Sequence, residues 1–295
     1  MRRLLRAHLS VALLACATSC VSSTSLSLGP PTEAASSVQP KGWLLIVGGG
    51  GTTSDMYKRA IDLGGGTASK VVIFPQASEL PDTGESAAAA WRENGVDPQN
   101  VLVADIKKDE PGAVKALETA TIIWFPGGVQ KRLMDALGAT LPQAIRKRYQ
   151  EGAVVGGTSA GAAVMSGKMI TGDFVSETTD ESGLGLVQAS TVRTEPGLGL
   201  IDWAIVDQHF FKRRRFNRLL SCVLDNHAKL IGIGIDERTA ILVHGTGFEV
   251  IGESNVLVID ARRASDVQDT EGLRQTGRGL QMSLLAHGMK FDVSD

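Results

Sequence analysis

The chain has 295 residues, a formal net charge of −2, 43% hydrophobic and 21% charged residues, an ordinary globular composition long enough for a substantial core. That near-neutral balance argues against a nucleic-acid partner, for which a basic surplus supplies the affinity. Cysteines stand only at 16, 20 and 222, so the chain beyond residue 20 has one thiol and must rest on its core rather than on internal disulfides.

The first residues read as an export signal. MRRLLR supplies positive charge, VALLACA an apolar stretch, and small residues surround Cys16 and Cys20. The apolar stretch is too short for a permanent membrane span. Both LLAC and ATSC resemble a bacterial lipoprotein cleavage box, and the leucine three positions before Cys16 favours the first. The expectation is a signal over residues 1–20 and a protein secreted or lipid-anchored outside the cytoplasmic membrane, at the periplasm or cell surface. Membrane contact would then run only through an N-terminal lipid. Residues 21–40 are rich in Ser, Thr, Pro and Gly with almost no charge, which predicts a flexible linker. The folded domain is expected over 41–295.

Within it, short apolar runs recur: WLLIV (43–47), VVIF (71–74), VLVA (101–104), TIIWF (121–125) and AVV (153–155). Helical patterns alternate with them over 54–63, 85–94, 112–118, 130–137 and 142–151. Strand and helix in alternation predict an α/β fold with a parallel sheet covered on both faces. Beyond Ser166 the pattern turns mixed: a helix over 211–226, short strands in GIGIDERTAILV, FEVIG and NVLVID, and a closing hairpin in LQMSLLAHGMKFDV around its HG pair.

AVVGGTSAGAAVM runs a buried strand directly into a helix through Gly157-Thr158-Ser159-Ala160-Gly161, a G-x-S-x-G turn. Such a turn holds its serine in a strained conformation, and side chains two residues to either side would collide with it. It lifts the hydroxyl above the sheet edge, beside the free N–H groups of a helix start. Tight packing or phosphate binding is the plainer use of a glycine-rich turn. The nucleophile reading needs a base, and the domain's histidines are 209, 227, 244 and 287. His227 follows a helix end, where it would cap carbonyls. His244 and His287 precede glycines in turns, whereas His209 lies in IVDQHFFKRRRFNRLL beside Asp207 and Gln208. A third group must hold the base in the right tautomer. Between serine and histidine, Asp173, Glu177, Asp180, Glu181, Glu195, Asp202 and Asp207 are all candidates.

Rival readings fail on the residues. An α/β-hydrolase places more strands and helices between its serine and histidine. A glutamine amidotransferase would carry cysteine at position 159. The GGGG of residues 48–51 leads to Thr53 or Ser54 where dinucleotide binding needs a third glycine. Scattered histidines offer no metal site, so neither a metal nor another cofactor is expected. The alternative of another class is a non-catalytic peptide-binding lipoprotein on a retired hydrolase scaffold; its usual signature is a lost nucleophile or base, and Ser159 and His209 are both present.

FPGGVQKRL, GGTSAGAAVM, MITGDFVSE, DQHFFKRRRFNRLL and GIGIDERTA, in that order, resemble the cyanophycinase and aspartyl dipeptidase family of serine peptidases. The resemblance implies a flavodoxin-like three-layer sandwich with a mostly parallel central sheet, as in class I glutamine amidotransferases. It implies Ser159 as nucleophile, His209 as base and Glu177 as the acid, with Asp173 as the alternative. It implies an oxyanion hole from the N–H groups of Gly128 and Ala160, with Gly127 nearby. Substrate contacts carried over from it are Gln130, Arg213, Arg215 and Arg218, with Asp207 and Gln208 as candidates beside them. The substrate it implies is cyanophycin, cut at β-aspartyl amide bonds, or small α- or β-aspartyl peptides, and relatives are often homodimers. Two departures bear on substrate: Val129 stands where the family has an acidic or amide residue, and GGGGTTSD replaces an acidic loop.

Overall fold

The apolar runs become strands because nearly all of their residues are buried on both faces, the exposed exception being Leu102 of VLVA. The computed structural model describes residues 39–174 and 185–294. The elements are β1 (Trp43–Val47), α1 (Ser54–Gly64), β2 (Val71–Ile73), α2 (Thr83–Glu93), β3 (Val101–Val103), α3 (Ile106–Leu117), β4 (Ile122–Phe125), α4 (Gln130–Leu137), α5 (Thr140–Glu151), β5 (Val154–Thr158) and α6 (Ala160–Ala163). There follow β6 (Lys168–Phe174), β7 (Val192–Pro196), β8 (Ala204–Gln208), α7 (Phe216–Asp225), β9 (Ile231–Ile235), β10 (Thr239–His244), β11 (Gly247–Gly252), β12 (Val256–Asp260), β13 (Ser265–Asp269), β14 (Gln275–Arg278), β15 (Gln281–Leu285) and β16 (Lys290–Asp292).

The central sheet has the order β16-β11-β10-β1-β5-β4-β2-β3. Its five strands from β1 to β3 are mutually parallel, and β10, β11 and β16 extend it antiparallel. This is the α/β architecture with a mostly parallel central sheet predicted from the sequence. Alternate residues of each strand face opposite layers. Leu45, Val47, Ile73 and Trp124 pack under α1 and α2, where Tyr57 meets Trp91 edge-on at 4.8 Å. Leu44, Ile46, Ile123, Phe125 and Val155 pack on the other face against α5, α6 and Val206, Ile233 and Val258 of a second sheet. That sheet has the order β15-β12-β9-β8, with β8 and β9 parallel, and α7 covers its outer side through Leu219 and Val223.

Three local expectations change. Helix α3 begins at Ile106, six residues before the predicted start, because Asp105 caps it by accepting the Lys108 N–H; it kinks at Asp109, ahead of Pro111. The basic run 211–215 is a turn, not the first part of a helix: Arg214 has φ 52, and the Asp236 carboxylate accepts the N–H groups of Phe211 and Lys212. The closing segment is not a hairpin. Strand β15 pairs with β12 in the second sheet, whereas β16 crosses to β11 in the central one. Val250 and Met289 hold that crossing through a backbone bond of 2.9 Å.

Candidate active site

Strand β5 delivers Ser159 to the carboxyl edge of the central sheet with φ 55 and ψ −111, a conformation that costs a non-glycine residue energy. The flanking glycines explain how it is tolerated. A Cβ on Gly157 would lie 2.6 Å from the Gly161 carbonyl, and one on Gly161 would lie 2.0 Å from the Phe125 oxygen. Gly157 is thus required by the turn itself, and Gly161 by the neighbouring strand β4.

His209 follows β8 and also has positive φ, 49. Its Nε2 lies 2.9 Å from Ser159 Oγ, and its Nδ1 lies 2.7 Å from Glu237 Oε1. The end of β1 fastens all three side chains through the backbone. Val47 O accepts the Ser159 N–H at 3.0 Å, Gly48 O the His209 N–H at 2.7 Å, and Gly49 O the N–H of Arg238, next to Glu237, at 2.7 Å. Burial pushes the His209 pKa below its ordinary value; the bond to Glu237 opposes that, while Arg213 and Arg215 add to it. A neutral imidazole at pH 7 can take the serine proton. His227 lies instead against Leu224 O at 2.9 Å, the carbonyl-capping place predicted for it, and His244 against Gly42 O at 3.1 Å. Cys222 is buried and its thiol is pushed up to about 12, so it is no rival nucleophile.

The carboxylate on His209 Nδ1 is that of Glu237, a residue to which the sequence-based reading assigns no role. Glu177, the predicted acid, lies outside the described residues, and Asp173, the alternative, is exposed on β6. Glu237 belongs to GIGIDERTA, a stretch that carried the family resemblance but no assigned role. The sequence-based candidates all lie between serine and histidine, whereas Glu237 lies 28 residues beyond His209. Parallel pairing brings it into range: with β9 beside β8 and Gln208 opposite Ile235, Glu237 follows Asp236, the residue that the register sets opposite His209.

The remaining predicted contacts are grouped but unequal. A Cβ on Gly127 would stand 3.5 Å from Ser159 Cβ, so the glycine pair does approach the nucleophile. Gly128 has φ 142 and no room for a side chain, since a Cβ there would lie 2.2 Å from Ala77 O. Ala160 opens α6. Gln130 is buried and donates to Ile170 O at 2.8 Å. Asp207 and Arg218 are buried and occupied with each other, Nε to Oδ2 at 2.9 Å and Nη2 on the second oxygen. They therefore serve as a base for Arg215, which lies 3.6 Å from Asp207 and donates to Gln208 O at 2.7 Å. Burial, then the neighbouring Arg218 charge, lowers the Arg215 pKa to about 10. Arg213 is exposed on the turn, with its backbone N–H on His209 O at 2.9 Å. Next to the glycine loop, which Val129 N–H ties to Ala77 O at 2.8 Å, is a cavity of about 690 Å³. Gln76, Glu79, Glu85, Asp105, Lys107 and Arg132 line it with both signs of charge.

Residues 44–251 match the family described as peptidase family S51. A cyanophycinase from Geminocystis herdmanii is 34% identical over 261 residues, which cover 84% of this chain and 93% of that protein. A cyanophycinase from a Nostoc species is 34% identical over 238 residues, covering 78% of this chain and 77% of that one. Among solved structures, a peptidase from an acI-B1 Actinobacterium is 23% identical with a TM-score of 0.60, covering 85% of this chain and 96% of that one. A putative peptidase E protein from Listeria monocytogenes is 19% identical with a TM-score of 0.50, covering 72% of this chain and 99% of that one; both are likenesses of fold. The chain belongs to peptidase family S51 and is a serine-type peptidase.

Proposed function

We propose that this S51 peptidase is exported and degrades cyanophycin, releasing β-Asp-Arg units through an acyl-enzyme on Ser159; the amide cut is then the one that joins units, not the β-aspartyl amide inside each unit that the resemblance implied. The observation that carries the reading is the continuous contact from Ser159 Oγ through His209 to Glu237, 2.9 and 2.7 Å, with Arg213 and Arg215 acting on the same imidazole. Likeness to cyanophycinases across most of their length supports the substrate class.

In this mechanism Ser159 Oγ attacks the amide carbonyl as its proton passes to His209 Nε2. Glu237 keeps the remaining proton on Nδ1 and stabilises the imidazolium. The N–H groups of Gly128 and Ala160 are the oxyanion donors, and such donors are each worth about 10²-fold to 10³-fold in rate. His209 then protonates the leaving amine, and water, deprotonated by the same imidazole, releases the acyl group. Arg213 and Arg215 suit the free carboxylate that each β-Asp-Arg unit carries, because a guanidinium fork matches a carboxylate's two oxygens.

The test incubates the purified protein with insoluble cyanophycin and with aspartyl dipeptides, and weighs the soluble products. β-Asp-Arg from the polymer is the expected result. Free arginine would place the cut inside the unit, and cleavage of dipeptides alone would replace the polymer reading with a dipeptidase. Export is supported by the basic and apolar N-terminal run ending in Cys16 or Cys20. The intact mass of protein from producing cells should lack the residues before one of those cysteines or before a later cleavage point. A full-length mass in the mature fraction contradicts export.

A further inference from the structure

We infer that the glycines Gly48–Gly50 form a backbone seat that positions His209 and Glu237 for the reaction, and that glycine is required at 49 and 50 because the triad side chains occupy the space of a side chain there. The tetraglycine run has no dinucleotide spacing and departs from the resembled family's acidic loop, so its use must be read from its contacts.

Two of its carbonyls hold the backbone of the pair, Gly48 O on His209 N–H and Gly49 O on Arg238 N–H, both at 2.7 Å. The preceding carbonyl, Val47 O, holds Ser159. One short segment therefore sets the spacing of three residues that come from distant parts of the chain. Its α-carbons then pack directly on the reacting groups. A Cβ on Gly49 would lie 2.3 Å from His209 Cε1, 2.4 Å from Nε2 and 2.8 Å from Nδ1. A Cβ on Gly50 would lie 2.6 Å from Glu237 Cβ and 2.9 Å from its Cγ. With φ of 100 and 68, both positions also have the left-handed backbone that glycine adopts without penalty. The imidazole is thereby pressed between backbone on one face and its two partners at the nitrogens, which stops it tilting out of line and keeps water from that face. Charged groups acting on the ring are Glu237, Arg213 and Arg215.

Gly51 supplies a control. Its φ is 109, close to that of Gly49, yet a Cβ there would meet only Arg238 Nη1 at 3.5 Å. Gly49→Ala and Gly51→Ala thus share the backbone penalty and differ in contact with the triad. The experiment measures the rate at which a fluorophosphonate labels Ser159 in the full chain, with circular dichroism and thermal midpoint as fold checks. In that reaction Ser159 Oγ bonds to phosphorus, fluoride leaves, and the serine proton passes to His209. A displacement near 1 Å costs about 10²-fold, so Gly49→Ala should label about 10²-fold more slowly, and Gly51→Ala within about threefold of wild type. Equal losses in the two variants would reduce the effect to backbone strain and overturn the seat. An undiminished rate in folded Gly49→Ala would overturn it as well.

The pH profile adds a readout that general loosening would not give. Gly49→Ala, by letting water reach the ring, should move the acid limb of labelling upward. Gly50→Ala, by displacing Glu237, should move it downward and slow labelling. If Gly49→Ala does not fold, an unchanged rate and limb in Gly50→Ala overturns the proposal. The inference rests on Ser159 as nucleophile. An unlabelled wild type would remove that assignment, whereas a labelled wild type with an equally reactive Gly49→Ala would remove the seat alone.

Discussion

Replacing Ser159 by alanine is expected to lower kcat by about 10⁴-fold to 10⁶-fold, the range seen when a serine nucleophile is deleted and its oxyanion donors remain. The fold should survive. Alanine fits the same turn, the Ser159 N–H still reaches Val47 O, and the Gly157 and Gly161 contacts do not involve the hydroxyl. Substrate binding should persist, because the arginine network around Asp207 does not pass through Ser159. Turnover assayed beside equilibrium binding to cyanophycin separates the roles. Binding lost together with rate would mean that the serine does more than attack.

Glu237→Gln is expected to cost about 10⁴-fold in kcat with little change in KM. Glutamine is nearly the same size, so the 2.7 Å contact to His209 Nδ1 can be kept, but its charge is gone. The imidazolium formed during attack loses its counter-charge, and the amide can present N–H to Nδ1 and so favour the wrong tautomer. Because the bond to Glu237 raises the His209 pKa, its loss should also move the acid limb of kcat/KM downward. A mild effect here, with a large one in Glu177→Gln, would return the acid to the position first predicted.

Those two residues mark how far the sequence could be read. Ser159 was legible because G-x-S-x-G between an apolar strand and a helix start is a local pattern, written in neighbouring residues. His209 was legible by elimination, since the other three histidines of the domain had ordinary uses at helix ends and turns. Glu237 was not, because its place depends on β8 and β9 lying side by side, a long-range pairing that spacing along the chain does not express. The closing strands failed for the same reason: LQMSLLAHGMKFDV has a hairpin's local pattern, yet its two halves find partners in different sheets. The basic run was read as helix from composition, whereas the Asp236 carboxylate, over 20 residues away, fixes it as a turn. The parallel core was legible throughout, because strands buried on both faces must be apolar along their whole length.

The most direct test of the account maps the fluorophosphonate adduct on the full chain by peptide mass, in the wild type and in His209→Ala. The account predicts one adduct, on Ser159, formed by the wild type and slowed at least about 10³-fold without the imidazole. An adduct on another residue, or an equal rate on Ser159 in His209→Ala, would contradict the Ser159–His209–Glu237 mechanism.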